Sequence, residues 1–531
     1  MKIEKIPYQQ TGRFAKIVTD YLQEVAPLQP FYKYKPTLDS FQTAITNKLK
    51  EQIDGNLLSE TISQQYGDIE TTSLVKENIE SFRDRKTFCI VTAHQLNIFT
   101  GPLYVIYKTI STIQLCKSLK EKYPSNHFVP VFWLGSEDHD FEEINHFQLF
   151  GKTYSWEELQ GGACGKYNPK GLDSIIEEIK TVLGEGVNAQ NLIFMFTKAY
   201  TNSEDLAKAT RIILNALFGI YGLVVVDGDD TYFKLQCKSI IEDEIFERST
   251  EKIVNKTLQT FPYTAQATPR EINLFYLKEQ LRERIIFDAV KEKYAVLNTE
   301  ITFTRDEIKQ EVEHHPDHFS PNVILRPVFQ QKVLPSLGYI GGGGELAYWL
   351  QLRSLFEFHN INFPVLLLRD SYLIIDSNTN KKIQKLFSNN TDIFKEENVL
   401  INDYVRANSN EVVSLNVESI EIGTIFNRIL ETAKKIDNSL EKTVLGEKQN
   451  MINSIQKLES KLLKAEKLKM DAEVSQIRAV LAKLFPNNTL QERHDNFIPY
   501  YLKYGPGFFD QLLAAAGQPT PEFVILTMEE V

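Results

Sequence analysis

Cysteine is scarce in this chain of 531 residues: Cys89, Cys116, Cys164 and Cys237, none of them in a Cys-x-x-Cys pair. That excludes a disulfide-stapled scaffold and a structural zinc site of ordinary spacing. It points to reduced thiols in a cytoplasmic protein. Long apolar runs are missing as well. No window approaches about 18 consecutive apolar residues, so no membrane-spanning helix is expected. Met1-Lys2-Ile3-Glu4-Lys5 has no apolar stretch behind it, so no secretory signal is expected either. Positive charge is in deficit, with 59 Lys+Arg against 70 Asp+Glu and a net charge of −11. A nucleic-acid binder normally carries the opposite sign, because phosphate neutralisation dominates its affinity. No nucleic-acid partner is therefore expected.

What is present reads as a folded chain with more than one structural unit. Residues 1 to about 80 read as helical, since Leu38, Phe41, Ile45 and Leu49 share one helix face. The texture then changes. Thr87 to Thr92 is a β-branched apolar run, as in a buried parallel strand. Leu103 to Lys120 is a helix by periodicity, and Phe128 to Leu134 is a second strand. Strand, helix and strand in so short a span predict a βαβ unit. Leu206 to Phe218 and Gly222 to Asp227 continue the alternation, and Phe363 to Arg369 adds a strand. Arg284 to Phe287 and Tyr294 to Leu297 predict a small antiparallel hairpin. The fold class expected is α/β, an open doubly wound parallel sheet.

Positions 421 to 480 differ from the rest. They hold 20 charged residues in 60, against 24 % for the chain, with no proline and Phe426 as the one aromatic. Ile422, Phe426, Ile429, Ala433, Ile436 and Leu440 recur at steps of four and three, a heptad seam. Ile455, Leu458, Leu462 and Ala465 resume it, followed by Ile477, Leu481 and Leu484. With Gly446 as the turn, the pattern predicts an antiparallel coiled-coil arm over 416–485; an ordinary packed helix pair is the plainer alternative. Such an arm meets a copy of itself, so a homodimer is expected. Phe497, Tyr500, Tyr501, Tyr504, Phe508 and Phe509 mark 486–531 as a segment that returns to the body.

Two strand ends are rich in chemistry. After the first strand come His94, Gln95, Asn97, Thr100, Gly101, Pro102, Tyr104 and Lys108. Thr100 is placed as a helix cap, Pro102 suits a first helical turn, and free N–H groups there would favour an anion. Tyr104 and Lys108, four apart, share a face. A capped helix with an exposed lysine is the bland alternative. After the second strand come Trp133, Glu137, Asp138, His139, Asp140, Glu142, Glu143 and Asn145. Packed carboxylates repel and are costly to bury without a cation, so such a run points to a site. His139 would orient a substrate, donate a proton or bind metal. Gly341 to Gly344 precede a helix opening at Glu345, and neither a P-loop nor a dinucleotide fingerprint is formed. Arg326 and Arg369, each placed at a strand end, suit carboxylate or phosphate; Asp370 is an alternative partner. His314-His315-Pro316-Asp317-His318 resembles a metal cluster, but its surroundings suggest a surface helix end. No metal site is expected.

Taken in order, these segments resemble the cysteine-ligase family of bacillithiol biosynthesis. Gln95…Thr100-Gly101-Pro102-Leu103-Tyr104…Lys108 and Phe132-Trp133…Glu137-Asp138-His139-Asp140…Glu143-Ile144-Asn145 carry the resemblance. So do Asn273-Leu274-Phe275-Tyr276, Thr304-Arg305-Asp306-Glu307, Ser320…Asn322-Val323…Arg326-Pro327 and Tyr504-Gly505-Pro506…Phe508-Phe509. Two departures stand out: His94 where glycine is commoner, and a richer glycine run. The resemblance implies a Rossmann-like core over 1–415, similar to class I aminoacyl-tRNA synthetases and nucleotidylyl transferases. Connecting inserts at about 151–200 and 255–320 interrupt it, and the coiled coil serves dimerisation. It implies joining cysteine to the amino sugar of glucosaminyl malate, with ATP and Mg as the cofactor expectation. It implies His139, Asp138 and Lys108 as catalytic. Gln95, Asn97, Thr100, Gly101, Tyr104, Trp133, Glu137, Asp140, Asn145, Arg326, Gly343, Glu345 and Arg369 would bind substrate. A second nucleotide pocket would involve Tyr501, Tyr504 and Gly505. Another carboxylate–amine ligase or nucleotidyl transferase on the same core, an inactive coiled-coil scaffold and a metal hydrolase are the rivals. None of the four cysteines falls in these motifs, so the cysteine that matters is the substrate.

Overall fold

The computed structural model describes residues 1–409 and 414–529. Its centre is a five-stranded parallel sheet of β1 (Thr87–His94), β2 (His127–Leu134), β3 (Val224–Asp227), β4 (Ser336–Gly341) and β5 (Val365–Leu368). The spatial order is β3-β2-β1-β4-β5, the doubly wound order of dinucleotide-binding sheets. These runs are apolar on both faces because the sheet is covered on both sides. Cys89, Val91 and Ala93 of β1 pack into one core and Phe88 and Ile90 into another. Helix α1 (Leu103–Lys122) links β1 to β2.

The first 80 residues are not all helical. Lys2–Ile6 is a strand, antiparallel to Phe523–Met528, which lies parallel to Ser371–Asp376. Both ends of the described chain thus meet in one small sheet. A five-residue strand paired with a partner more than 500 positions away leaves no local periodicity to read. The expected hairpin is present, with Ile285 opposite Val296. It belongs to a five-stranded antiparallel sheet with Leu274–Lys278, Phe319–Pro321 and Thr302–Phe303.

Arg326 does not end a strand. It opens helix α2 (Arg326–Val333), whose first turn holds Pro327. Asn322 Oδ1 accepts the N–H groups of Ile324 and Leu325 at 2.9 and 3.2 Å and starts that turn. A short apolar run does not distinguish strand from helix, and here proline and asparagine decide. The glycine cluster opens helix α3 (Gly343–Trp349), two residues before the position expected.

The C-terminal helices are α4 (Asn416–Ile436), α5 (Glu441–Lys469) and α6 (Asp471–Leu484). The turn lies at 437–440 and not at Gly446, which sits inside α5. Asp437 Oδ1 accepts the Ser439 N–H at 2.8 Å, a local bond that ends a helix more decisively than one glycine. Of the predicted seam, Ala433 is buried and Ile422, Phe426 and Ile455 are half-buried, whereas Ile429, Ile436, Leu440, Leu458, Leu462 and Ala465 are exposed; Leu463, next to Leu462, is the buried position there. Ile477, Leu481 and Leu484 bury α6 against the body.

Candidate active site

The strand order reverses between β1 and β4, where α/β sheets open a crevice beyond their carboxyl ends. A cavity of about 520 Å³ occupies that place. β1 ends in His94 and leads into Gln95, β2 supplies Trp133 and leads into Gly135 to Asp138, and β4 leads into Gly342 to Glu345. Arg369 follows β5, and α1 and α2 add Tyr104, Lys108 and Arg326. The antiparallel insert closes the space with Arg282, Pro321 and Asn322.

The two sides of β1 carry opposite charge. On the β4–β5 side, buried Lys108 forms an ion pair with Glu345 and donates to the Ala93 carbonyl at 2.9 Å. Glu345 also accepts from Tyr339 Oη at 2.6 Å and the Gly342 N–H at 2.9 Å. Burial opposes its charge, but Lys108 and these donors win and hold the carboxyl at about 2. Arg326 donates to Gln330 Oε1 at 3.0 Å and Tyr348 Oη at 2.8 Å, both neutral. Arg369 grips Glu492 through two bonds, 2.9 and 2.6 Å, while its buried Nε has no partner.

On the β2 side lie carboxylates. Glu137 accepts from Lys234 at 2.8 Å; Lys234 in turn reaches Asp229 at 3.4 Å and the Phe319 carbonyl at 3.0 Å. Asp138 accepts from Gln95 Nε2 at 2.7 Å and from the His139 N–H at 2.8 Å. Arg282 Nη1 donates to His139 Nδ1 at 2.6 Å. Burial and the Arg282 charge hold the imidazole below its usual range, so His139 is neutral and carries its proton on Nε2. It therefore sits at the rim as a partner of Arg282 and has no free lone pair with which to take a proton.

Of the residues singled out in the sequence, Gln95, Tyr104, Lys108, Trp133, Glu137, Asp138, Arg326, Gly343, Glu345 and Arg369 line the cavity. Others lie elsewhere. The helix cap at α1 is Pro102, with no side-chain bond, and Leu103 N–H donates to the Asp495 carbonyl. Thr100, at φ 67°, has a buried hydroxyl without a partner, so it is no cap. Gly101, at φ +60°, would clash with Asn97 if it bore a Cβ, 2.6 Å away. Asn97 itself donates to the Glu143 carbonyl at 2.9 Å. Asp140 caps the short helix Phe141–Ile144, which ends at Asn145. Tyr501 is buried against Phe509, Tyr504 Oη reaches the Glu529 carbonyl, and Gly505 packs on Asn188; none lines this cavity. His318 pairs with Glu311 at 2.6 Å and stacks on His315. Among the described residues no group of three or more His, Cys, Asp or Glu is placed to hold a metal ion.

The sequence reading named His94 at its strand end without giving it a site role, and missed Arg282, Glu492 and Arg493. His94 was visible at a strand end; burial and Lys108 press its imidazole to about 3, and its Nε2 has no partner. Arg282 and the Glu492-Arg493 pair come from distant segments that carried no signal.

Residues 1–370 match the family model described as the N-terminal Rossmann-like domain of bacillithiol biosynthesis BshC. Residues 372–528 match its C-terminal coiled-coil domain. The chain belongs to the BshC family. A relative from Flavobacterium johnsoniae, named "Putative cysteine ligase BshC", is 40 % identical over 99 % of this chain and 100 % of its own. One of the same name from Christiangramia forsetii is 40 % identical over 98 % of each. A solved structure described as a "putative arginyl t-RNA synthetase" from Campylobacter jejuni covers 86 % of this chain and 97 % of its own at 10 % identity. Its TM-score of 0.20 carries no argument. The BshC family boundary matters for the cavity, because Arg493 belongs to the C-terminal domain and the other named lining residues to the N-terminal one.

Proposed function

We propose that this cavity joins the carboxyl group of cysteine to the amino group of glucosaminyl malate, forming an amide. The observation that carries the reading is Arg326. This half-buried guanidinium on the cavity wall donates, among the described residues, only to the neutral Gln330 and Tyr348, with Glu345 near it but not bonded to it. Its remaining N–H donors are therefore available to an anionic ligand, which a charge-assisted hydrogen bond would favour. Arg369 Nε adds a second unmet donor. The two carboxylates of a malyl group suit Arg326 and Arg369; the cysteine ammonium suits Glu137 and Asp138.

Bond formation requires the sugar amine to attack as the free base. Asp138 is the proton acceptor, because Gln95 and the His139 N–H fix its carboxylate toward the cavity while Arg282 occupies His139 Nδ1. Lys108 is spent on Glu345 and Ala93, so it holds the β4 side in place. The residues fit a nucleotide: Gly344 has open space where a side chain would start, and His94 Nε2 is an unmet buried group. These two would border ATP with Mg, which would supply activation of the cysteine carboxyl.

The test is the purified chain with cysteine, glucosaminyl malate and ATP·Mg, read by mass spectrometry. The amide product supports the assignment. Product from a different amine under substrate profiling would replace it with another carboxylate–amine ligase. No helix is long and apolar enough to cross a membrane among the described residues, and all four thiols are free and buried, which fits a reducing cytoplasm. The exposed Ile429, Ile436, Leu458 and Leu462 suit a second copy of the arm, giving a homodimer.

A further inference from the structure

Glu492 and Arg493 are neighbours in sequence with opposite fates. Glu492 is buried and pairs bidentately with Arg369. Arg493 is exposed, lines the cavity and, among the described residues, makes no side-chain hydrogen bond or ion pair. Tyr104 and Glu143 line the same cavity, and among the described residues Glu143 forms no ion pair with Arg493.

The segment that carries the two is fixed firmly. Asn496 Nδ2 donates to the Phe99 and Gly101 carbonyls at 2.9 and 2.7 Å, and the Asp495 carbonyl accepts from Leu103 N–H at 2.8 Å. The loop between arm and body is therefore latched onto the start of α1. A guanidinium held on so firmly anchored a loop joins Arg326 and Arg369 in lining one cavity. Arg369 is balanced by Glu492, which leaves Arg493, like Arg326, as a cavity-lining arginine with no bonded acidic partner among the described residues.

We propose that Arg493 is a substrate-binding residue supplied by the C-terminal domain: it clamps an anionic oxygen group, a malyl carboxylate or a nucleotide phosphate, against Arg326 and Arg369. Glu492 is its positioning companion, holding the Arg369 guanidinium in place through two bonds. The site is then incomplete in the N-terminal domain alone. The proposal rests on the substrate reading of the cavity.

The test titrates the full chain by calorimetry with glucosaminyl malate in one arm and ATP·Mg in the other, and measures KM and kcat. Arg493→Ala should weaken one of the two ligands about tenfold, the loss of one charge-assisted contact. Its KM for that ligand should rise in step, with kcat within about twofold and the melting temperature unchanged. Arg493→Lys should recover part of the affinity, since a point charge replaces a fork. The arm that weakens identifies the anion. Unchanged binding of both ligands by Arg493→Ala, while Arg326→Met loses it, overturns the role of Arg493 and leaves the cavity reading standing. Unchanged binding by Arg326→Met as well overturns both.

Discussion

The cleft and the helical arm break opposite rules of burial. The cleft takes charge out of water: Lys108, Glu345, Lys234 and Arg369 are buried or nearly so, each held by a named partner. The arm leaves apolar side chains in water, with Ile436 75 % and Leu458 52 % exposed. Buried charge is costly and persists where chemistry needs it. Exposed apolar surface is costly in another way and persists where a partner covers it. The proposed anionic substrate and the proposed second copy of the arm answer these two departures in turn.

The contrast is sharpest in turnover. Asp138→Asn keeps the shape and the Gln95 contact but removes the proton acceptor. It should lower kcat by about 10²- to 10⁴-fold, with an unchanged melting curve. His139→Ala should cost less, because its Nδ1 already serves Arg282. If His139→Ala matches or exceeds Asp138→Asn, the roles are exchanged. No exposed change in the arm should approach either effect in a single-turnover assay.

Stability comes next. Glu345→Gln leaves Lys108 buried without its counter-ion and should destabilise by about 3–5 kcal/mol in urea unfolding. The pH dependence has a definite sign. Glu345 is held at about 2 in the fold, below the ordinary glutamate value. Its contribution is therefore complete above the unfolded value and is lost as pH falls toward 2. The wild type should lose stability across that acid window more steeply than Glu345→Gln. Equal slopes would show that Lys108 is not charged against Glu345.

How much of this was legible in the sequence also divides by region. β1, α1 and β2 were readable because buried parallel strands and a long helix rich in apolar residues leave local patterns. Glu137 and Asp138 were readable because adjacent acids at a strand end are hard to explain otherwise. The arm's helices were readable from heptad spacing, but its turn was not, since Asp437 and Ser439 overrode Gly446. Arg326 was misplaced because Asn322 and Pro327 convert a strand-like run into a helix start. Thr100 was misplaced because main chain from Asp495 meets α1. Arg282, Glu492 and Arg493 reach the cleft from an insert and from beyond the arm, and no spacing rule links segments so far apart.

The arm gives a smaller effect and a cleaner discriminator. Ile429→Asp with Leu458→Asp alters exposed positions, so the chain's own unfolding free energy should move by no more than about 0.5 kcal/mol. Sedimentation should nonetheless show dimer turning to monomer. A large loss of stability with no change in mass would mean that these residues pack within the chain.

The smallest expected effect is none at all. Cys89, Cys116, Cys164 and Cys237 are all buried. Burial raises each thiol, Cys164 to about 12, and the thiolate is the form that reacts. A thiol reagent should therefore leave the native chain unlabelled over minutes and modify all four after urea. Cys164 is the sensitive one, because its N–H donates to the Asp138 carbonyl at 2.7 Å and it sits beside the proposed acceptor. Selective labelling of Cys164 would show that the wall behind Asp138 opens in solution. Silence at all four would show that an enzyme handling cysteine keeps its own thiols out of reach of that chemistry, with the cleft's reactivity confined to carboxylates and guanidinium groups.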